Sequence, residues 1–210
     1  MRTALPLAVA VAAFGVSFGV LARAAGLGVL APVVMSATTF AGSSQFAAVS
    51  ILGAGGGAAA AIGAAVLLNT RYGPMGLAAA PALRGSMARR AAEAQLVVDE
   101  SWALAKREGG HFDRGVMIGV GLTLYAAWLG GTAAGAVAGE ALGDPDALGL
   151  DAAFPALFLS LLVAQLHSRR ALGAALTGAA LALTLTPFTP AGIPVLAATA
   201  ACLIGIRRER

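Results

Sequence analysis

Long apolar runs, parted by short arginine clusters, constrain this chain more than any other feature. Crossing about 30 Å of hydrocarbon takes about 20 apolar residues. The runs at 4–22, 28–52, 57–81, 115–139, 152–167, 171–187 and 190–206 meet or approach that length. The last three are short and suit a thin or locally filled membrane. Of 210 residues, 59% are hydrophobic and 11% charged, with mean hydropathy +0.83. A soluble domain carries about 25% charged residues and cannot hide so much apolar surface. A disordered chain needs the opposite composition. The expected fold class is therefore an all-α polytopic membrane protein of about seven transmembrane helices. It forms one domain over 1–210, seated in the lipid bilayer.

Charge placement sets the expected orientation. Net charge +4 and a pI near 10.2 would admit a nucleic-acid partner. The basic residues, however, sit in short clusters between apolar runs, so no nucleic acid is expected. All but one of the 14 basic residues are arginine, and this usage, with abundant Ala and Gly, points to a GC-rich bacterium and its cytoplasmic membrane. Loops rich in Arg and Lys stay in the cytoplasm. The stretch 84–114 carries Arg84, Arg89, Arg90, Lys106, Arg107 and Arg114. The stretch 140–151 has Glu140, Asp144, Asp146 and Asp151 and no basic residue, so it belongs outside. His167-Ser168-Arg169-Arg170 and the tail Arg207-Arg208-Glu209-Arg210 return inside. Seven crossings then place the N-terminus outside and the C-terminus inside, with Arg2 on the wrong side and Arg71 within a span. The opening, from Arg2 to Ala22-Arg23-Ala24, also has the outline of a signal peptide; the rest is membrane-embedded either way.

Within 86–108, Met87, Ala91, Ala94, Val98, Trp102 and Ala105 recur at helical spacing. That predicts an amphipathic helix, lying at the cytoplasmic interface or forming a solvated linker. A faint repeat is also visible. Gly26-Leu27 precedes Pro32 as Gly149-Leu150 precedes Pro155, each pair opening the second span of a three-span group. Three spans is an odd number, so the groups would form an inverted 3+3 repeat plus one helix, as in many transporters.

Polar residues inside apolar runs are the candidate chemistry. The second run holds Phe40-Ala41-Gly42-Ser43-Ser44-Gln45-Phe46. Small polar residues glue membrane helices together, but two serines and a glutamine beside a glycine predict a broken helix lining a cavity. The third run carries Asn69-Thr70-Arg71-Tyr72-Gly73-Pro74. Gly73-Pro74 should interrupt the helix, leaving Arg71 as a carboxylate receptor or as a cation snorkelling to the surface. The first run holds Gly15-Val16-Ser17-Phe18-Gly19. This matches the serine-hydrolase pattern G-x-S-x-G without its strand–turn–helix context, and the base would have to be His167 or His111. It also reads as a G-x-x-x-G packing face, and Gly131, Gly135 and Gly139 offer a longer one in the fourth span, for an internal helix, a partner or an oligomer. No H-E-x-x-H and no G-x-x-x-x-G-K-[ST] occurs, and Cys202 is alone. Neither a metal nor a cofactor is expected, and an ATP-driven pump cannot be made from this chain by itself.

Taken in order, these motifs resemble the AzlC-type branched-chain amino-acid permease family. The residues that carry the resemblance are Gly15-Val-Ser-Phe-Gly19, Phe40-Ala-Gly-Ser-Ser-Gln-Phe46, Asn69-Thr-Arg-Tyr72, Asp99-Glu100-Ser-Trp102 and Gly149-Leu-Asp-Ala-Ala-Phe-Pro-Ala-Leu-Phe158. The resemblance implies the large subunit of a two-component exporter, working beside a small AzlD-type membrane subunit on leucine, isoleucine, valine and related substrates. It implies no enzymatic activity. Carried over, its site candidates are Ser17, Phe18, Gly42, Ser43, Ser44, Gln45, Asn69 and Arg71. Tyr72 departs from the bulkier or histidine residue common after the arginine. A proton-coupled exporter needs a titratable group in reach of the cavity, and Asp99, Glu100 and Asp151 are the candidates; Asp99 or Glu100 would then pair with Arg71, the alternative being that both acids pair with Arg89, Arg90 or Arg107 at the cytoplasmic surface. The alternatives are an intramembrane hydrolase using Ser17 and His167, and an assembly subunit without transport of its own.

Overall fold

The computed structural model describes residues 4–142, 155, 156, 159, 162, 163 and 166–204. Asp151, the run Gly149–Asp151, most of the expected span 152–167 and the tail 205–210 lie outside the described residues. Among those described the chain is helical, and the single extended pairing is a bridge between Lys106 and Phe112. Two helices among the described residues are long and apolar enough to cross a membrane, Leu5–Ala24 and Arg114–Gly139.

The first of these, α1 (Ala4–Ala24), lies along α8 (Arg114–Leu142). Glycine makes the seam. A Cβ on Gly15 would sit 2.7 Å from the Trp128 carbonyl oxygen, and one on Gly135 would overlap the carbonyl of Val16. Small residues let backbones approach this closely, and close packing drives helix association where lipid removes the hydrophobic drive. The contacts ascend together: Ala12 meets Gly131, Val16 meets Gly135, and Arg23 meets Gly139. The two helices are parallel, and that corrects the expected topology. An outside N-terminus with 84–114 inside requires them to be antiparallel. It also removes the basis for the inverted repeat, because the two groups start in the same direction.

The second apolar run folds back on itself. α2 (Leu30–Thr38) and α3 (Gly42–Gly53) are separated by a turn at Thr39–Ala41. Phe40 there has φ 42°, in the left-handed region that costs a non-glycine residue about 1–2 kcal/mol. The turn reverses the chain. Ser36 and Gln45 are bonded across it at 2.9 Å, and a Cβ on Gly53 would lie 3.4 Å from that of Ala25. The hairpin thus enters and leaves at the C-terminal end of α1.

α4 (Ala58–Asn69) descends beside α3, Ala61 and Ala64 packing on Ala48 and Ile51. It continues as α5 (Tyr72–Ala79) after a break in its hydrogen bonding at Thr70–Arg71, where the backbone keeps helical dihedral angles. Pro74 has no N–H for the Thr70 carbonyl, which accepts from Gly73 N instead at 3.1 Å. Ala79 ends against Met117, near the start of α8. α9 (Arg169–Leu185) and α10 (Ile193–Ala198) pack on one another, and Leu196 lies beneath Gly63 of α4.

The expected amphipathic helix is two short ones, α6 (Met87–Ala94) and α7 (Asp99–Ala105). Val98 is extended between them, and its N–H is taken by Ser101 Oγ at 2.9 Å. Met87, Ala91 and Ala94 of the stripe are exposed, whereas Glu93 is turned inward. Glu93 pairs with Arg89 at 2.9 Å and with Arg114 of α8. Arg114, then Arg89, holds its carboxyl down at about 2. A lowered folded pKa stabilises above the unfolded value and loses that contribution as pH falls through the folded one. The thermal midpoint in detergent should therefore fall between the ordinary 4.5 and about 2. Glu93→Gln should flatten the profile across that window, and an unchanged slope would contradict the role.

Candidate functional site

The two helix breaks meet. The tip of the α2–α3 hairpin and the α4–α5 break face one another across a cavity closed by α1, α7 and α8. It is lined by Val11 and Phe14 of α1, Phe40, Gly42 and Ser43 of the hairpin, and Arg71 and Tyr72. Val98, Asp99, Glu100, Leu124 and Trp128 complete it. Its cavity volume is about 90 Å³, and it opens to the surroundings on one side.

Arg71 is the hub. Its Nε and Nη2 donate to Asp99 Oδ2 at 3.1 and 2.9 Å. Nη2 also lies 2.7 Å from Ser43 Oγ and 3.1 Å from the Tyr72 hydroxyl. Nη1 donates to the Leu68 carbonyl at 3.0 Å. Arg71 therefore turns into the cavity rather than out to the surface. Asp99 pairs with it and not with Arg89, Arg90 or Arg107. Glu100 lines the same cavity, and burial pushes its carboxyl above the ordinary glutamate range. At the hairpin tip, the first backbone N–H groups of α3 have no partner within the helix, and Gly42 and Ser43 stand on the cavity wall. A Cβ on Gly42 would lie 3.0 Å from the Trp128 ring.

Other expected site residues have other partners. Gln45 is buried; its Oε1 accepts from Ala41 N at 3.2 Å and Trp128 Nε1 at 3.1 Å. Its amide donates to Ser36, which is bonded in turn to Thr132. Ser44 Oγ donates to the Ala41 carbonyl at 2.9 Å. These two residues hold the turn that presents Gly42 and Ser43. Phe18 is fully buried in an aromatic cluster with Phe46 and Trp128. Ser17 Oγ donates to the Ala13 carbonyl at 3.1 Å within its own helix, and His167 is exposed ahead of α9. Asn69, two residues before Arg71, has a buried Oδ1 without a hydrogen-bond partner among the described residues.

Sequence reasoning missed Val11, Phe14, Val98, Leu124 and Trp128. Apolar residues in apolar helices carry no signal of a cavity wall. A second cavity, lined by Thr39, Gly76, Leu83, Ala94, Gln95 and Val97 with shared Phe40, Tyr72 and Val98, lies on the side of α6. Phe40, Tyr72 and Val98 thus form the partition between the two.

The sequence model of the AzlC protein family matches residues 6–142. Inner membrane protein YgaZ of Escherichia coli is 31% identical over 201 residues, covering 88% of this chain and 80% of its own length. An uncharacterized membrane protein of Archaeoglobus fulgidus is 32% identical over 200 residues, covering 93% and 87%. No solved structure matches the chain.

Proposed function

The chain belongs to the AzlC family of membrane proteins, and from that premise we propose that it is the large subunit of a secondary exporter. Its substrates are branched-chain or similar hydrophobic amino acids, and a small AzlD-type subunit works beside it. One observation carries this reading: the cavity joins a guanidinium and the first turn of α3 to an apolar wall. Arg71 and the first amides of α3 suit a carboxylate. Glu100 and Ser43 suit an ammonium. Val11, Phe14, Phe40 and Leu124 suit an aliphatic tail. Polar ends in a mostly apolar pocket are how small-molecule sites fix orientation, and paired half-helices are how transporters build them. Counterflow of labelled leucine in proteoliposomes, with and without the small subunit, tests it. Accumulation should be weak for the chain alone and strong with the subunit; no accumulation in either would overturn it.

We infer the membrane arrangement from the parallel α1–α8 pair and the hairpin. The hairpin does not cross, so the remaining runs make six crossings, with both termini and 84–114 in the cytoplasm of the bacterial inner membrane. Arg2 then lies on the favoured side. Reporters at the N-terminus and at residue 100 should read the same, cytoplasmic side, and one at residue 145 the opposite side. An N-terminal reporter reading outside would refute this arrangement.

A further inference from the structure

We propose that Asp99 is a built-in competitor for the substrate's carboxylate, holding Arg71 until that carboxylate displaces it and frees the partition. The inference rests on the amino-acid reading above and deepens it.

Arg71 has two N–H groups on the edge that binds a carboxylate side-on, Nε and one of Nη2. Both point at a single oxygen, Asp99 Oδ2, at 3.1 and 2.9 Å. Nη1 is committed to the Leu68 carbonyl. A substrate carboxylate can therefore reach that edge only by taking the place of Asp99. The exchange is open to it, because the pair is partly hydrated: the side chains are 30% and 38% exposed. Ion pairs in that state are weak.

Displacement has a mechanical consequence. Asp99 directly follows Val98, which with Phe40 and Tyr72 separates the site from the second cavity. Tyr72 in turn shares Arg71 Nη2 with Asp99. Two of the three partition residues are thus tied to the Arg71–Asp99 pair. A ligand shifts such an equilibrium only by binding one state better than the other. A carboxylate does so here, since it gains Arg71 only when Asp99 has left. Ligands without a carboxylate gain nothing from the exchange, so the same pair selects for amino acids over amines.

Two measurements on the whole chain in nanodiscs, with its small subunit, test this. The first needs no substitution. Hydrogen exchange of peptides covering 96–105 is followed with saturating leucine and with leucinamide. Ligands ordinarily slow exchange; here leucine should speed it about tenfold as α7 is released, and leucinamide should not. Slower or unchanged exchange with bound leucine would overturn the inference. The second compares leucine affinity in Asp99→Asn. If about one molecule in ten is released in the parent chain, removing the competitor should tighten leucine about tenfold and leave leucinamide unaffected. Equal or weaker leucine binding by a monodisperse Asp99→Asn protein would also overturn it. A parent chain that binds no leucine at all would instead remove the amino-acid reading, and the inference with it.

Discussion

Arg71→Lys is expected to weaken leucine binding about tenfold and to reduce counterflow in proportion. The guanidinium offers two parallel donors to a carboxylate; an ammonium on a flexible stem offers a point charge. Two charge-assisted bonds at about 1.5 kcal/mol each correspond to about two decades in affinity, and the weakened hold on Asp99 returns about one of them. The charge is retained, so a loss of this size reads geometry rather than net electrostatics. The protein should still fold, because the Arg71–Asp99 pair is partly hydrated. Isothermal titration with leucine measures the effect. Affinity within threefold of the parent chain would show that the carboxylate is received elsewhere.

The second large effect is on folding. Gly135→Leu should prevent accumulation of folded protein, since even a Cβ there would overlap the Val16 carbonyl. Gly135→Ala should cost about 1–3 kcal/mol, the usual range for overpacking a tight interior. Gly130 and Gly119 lie on the same helix with nothing within 4 Å of an added Cβ. Alanine at either should leave the melting temperature in detergent unchanged. A tolerated leucine at 135 would contradict the parallel seam, and with it the placement of the N-terminus beside 84–114.

Much of the site could be read from the sequence because membranes make polar residues conspicuous. Gly42 and the serines beside it announced a helix break, and the chain does turn at Thr39–Ala41. Arg71 beside Gly73-Pro74 announced the second break. The role of each polar side chain was not legible. Ser43 and Gln45 look equivalent in the sequence, yet one faces the cavity while the other satisfies the turn's own buried groups. A turn buried in apolar surroundings has to find such partners within the chain. Topology failed for a related reason. A hairpin of 9 and 12 residues has the length and hydropathy of one span, and counting it as a crossing inverts the deduced side of the N-terminus. The Arg71–Asp99 pair, which joins residues 28 apart, was one of two pairings open to Asp99 in the sequence, and only the fold chose between Arg71 and the surface arginines. The apolar wall could not be distinguished from lipid-facing surface by residue type.

An amino acid is expected to bind where the two helix breaks meet. Photo-leucine, whose diazirine inserts into neighbouring side chains, reports that position when the adducts are located by mass spectrometry. Adducts should fall on Val11, Phe14, Leu124 or Trp128 and disappear with excess leucine. Leucine-sensitive adducts confined to other helices, with none on these four residues, would contradict it.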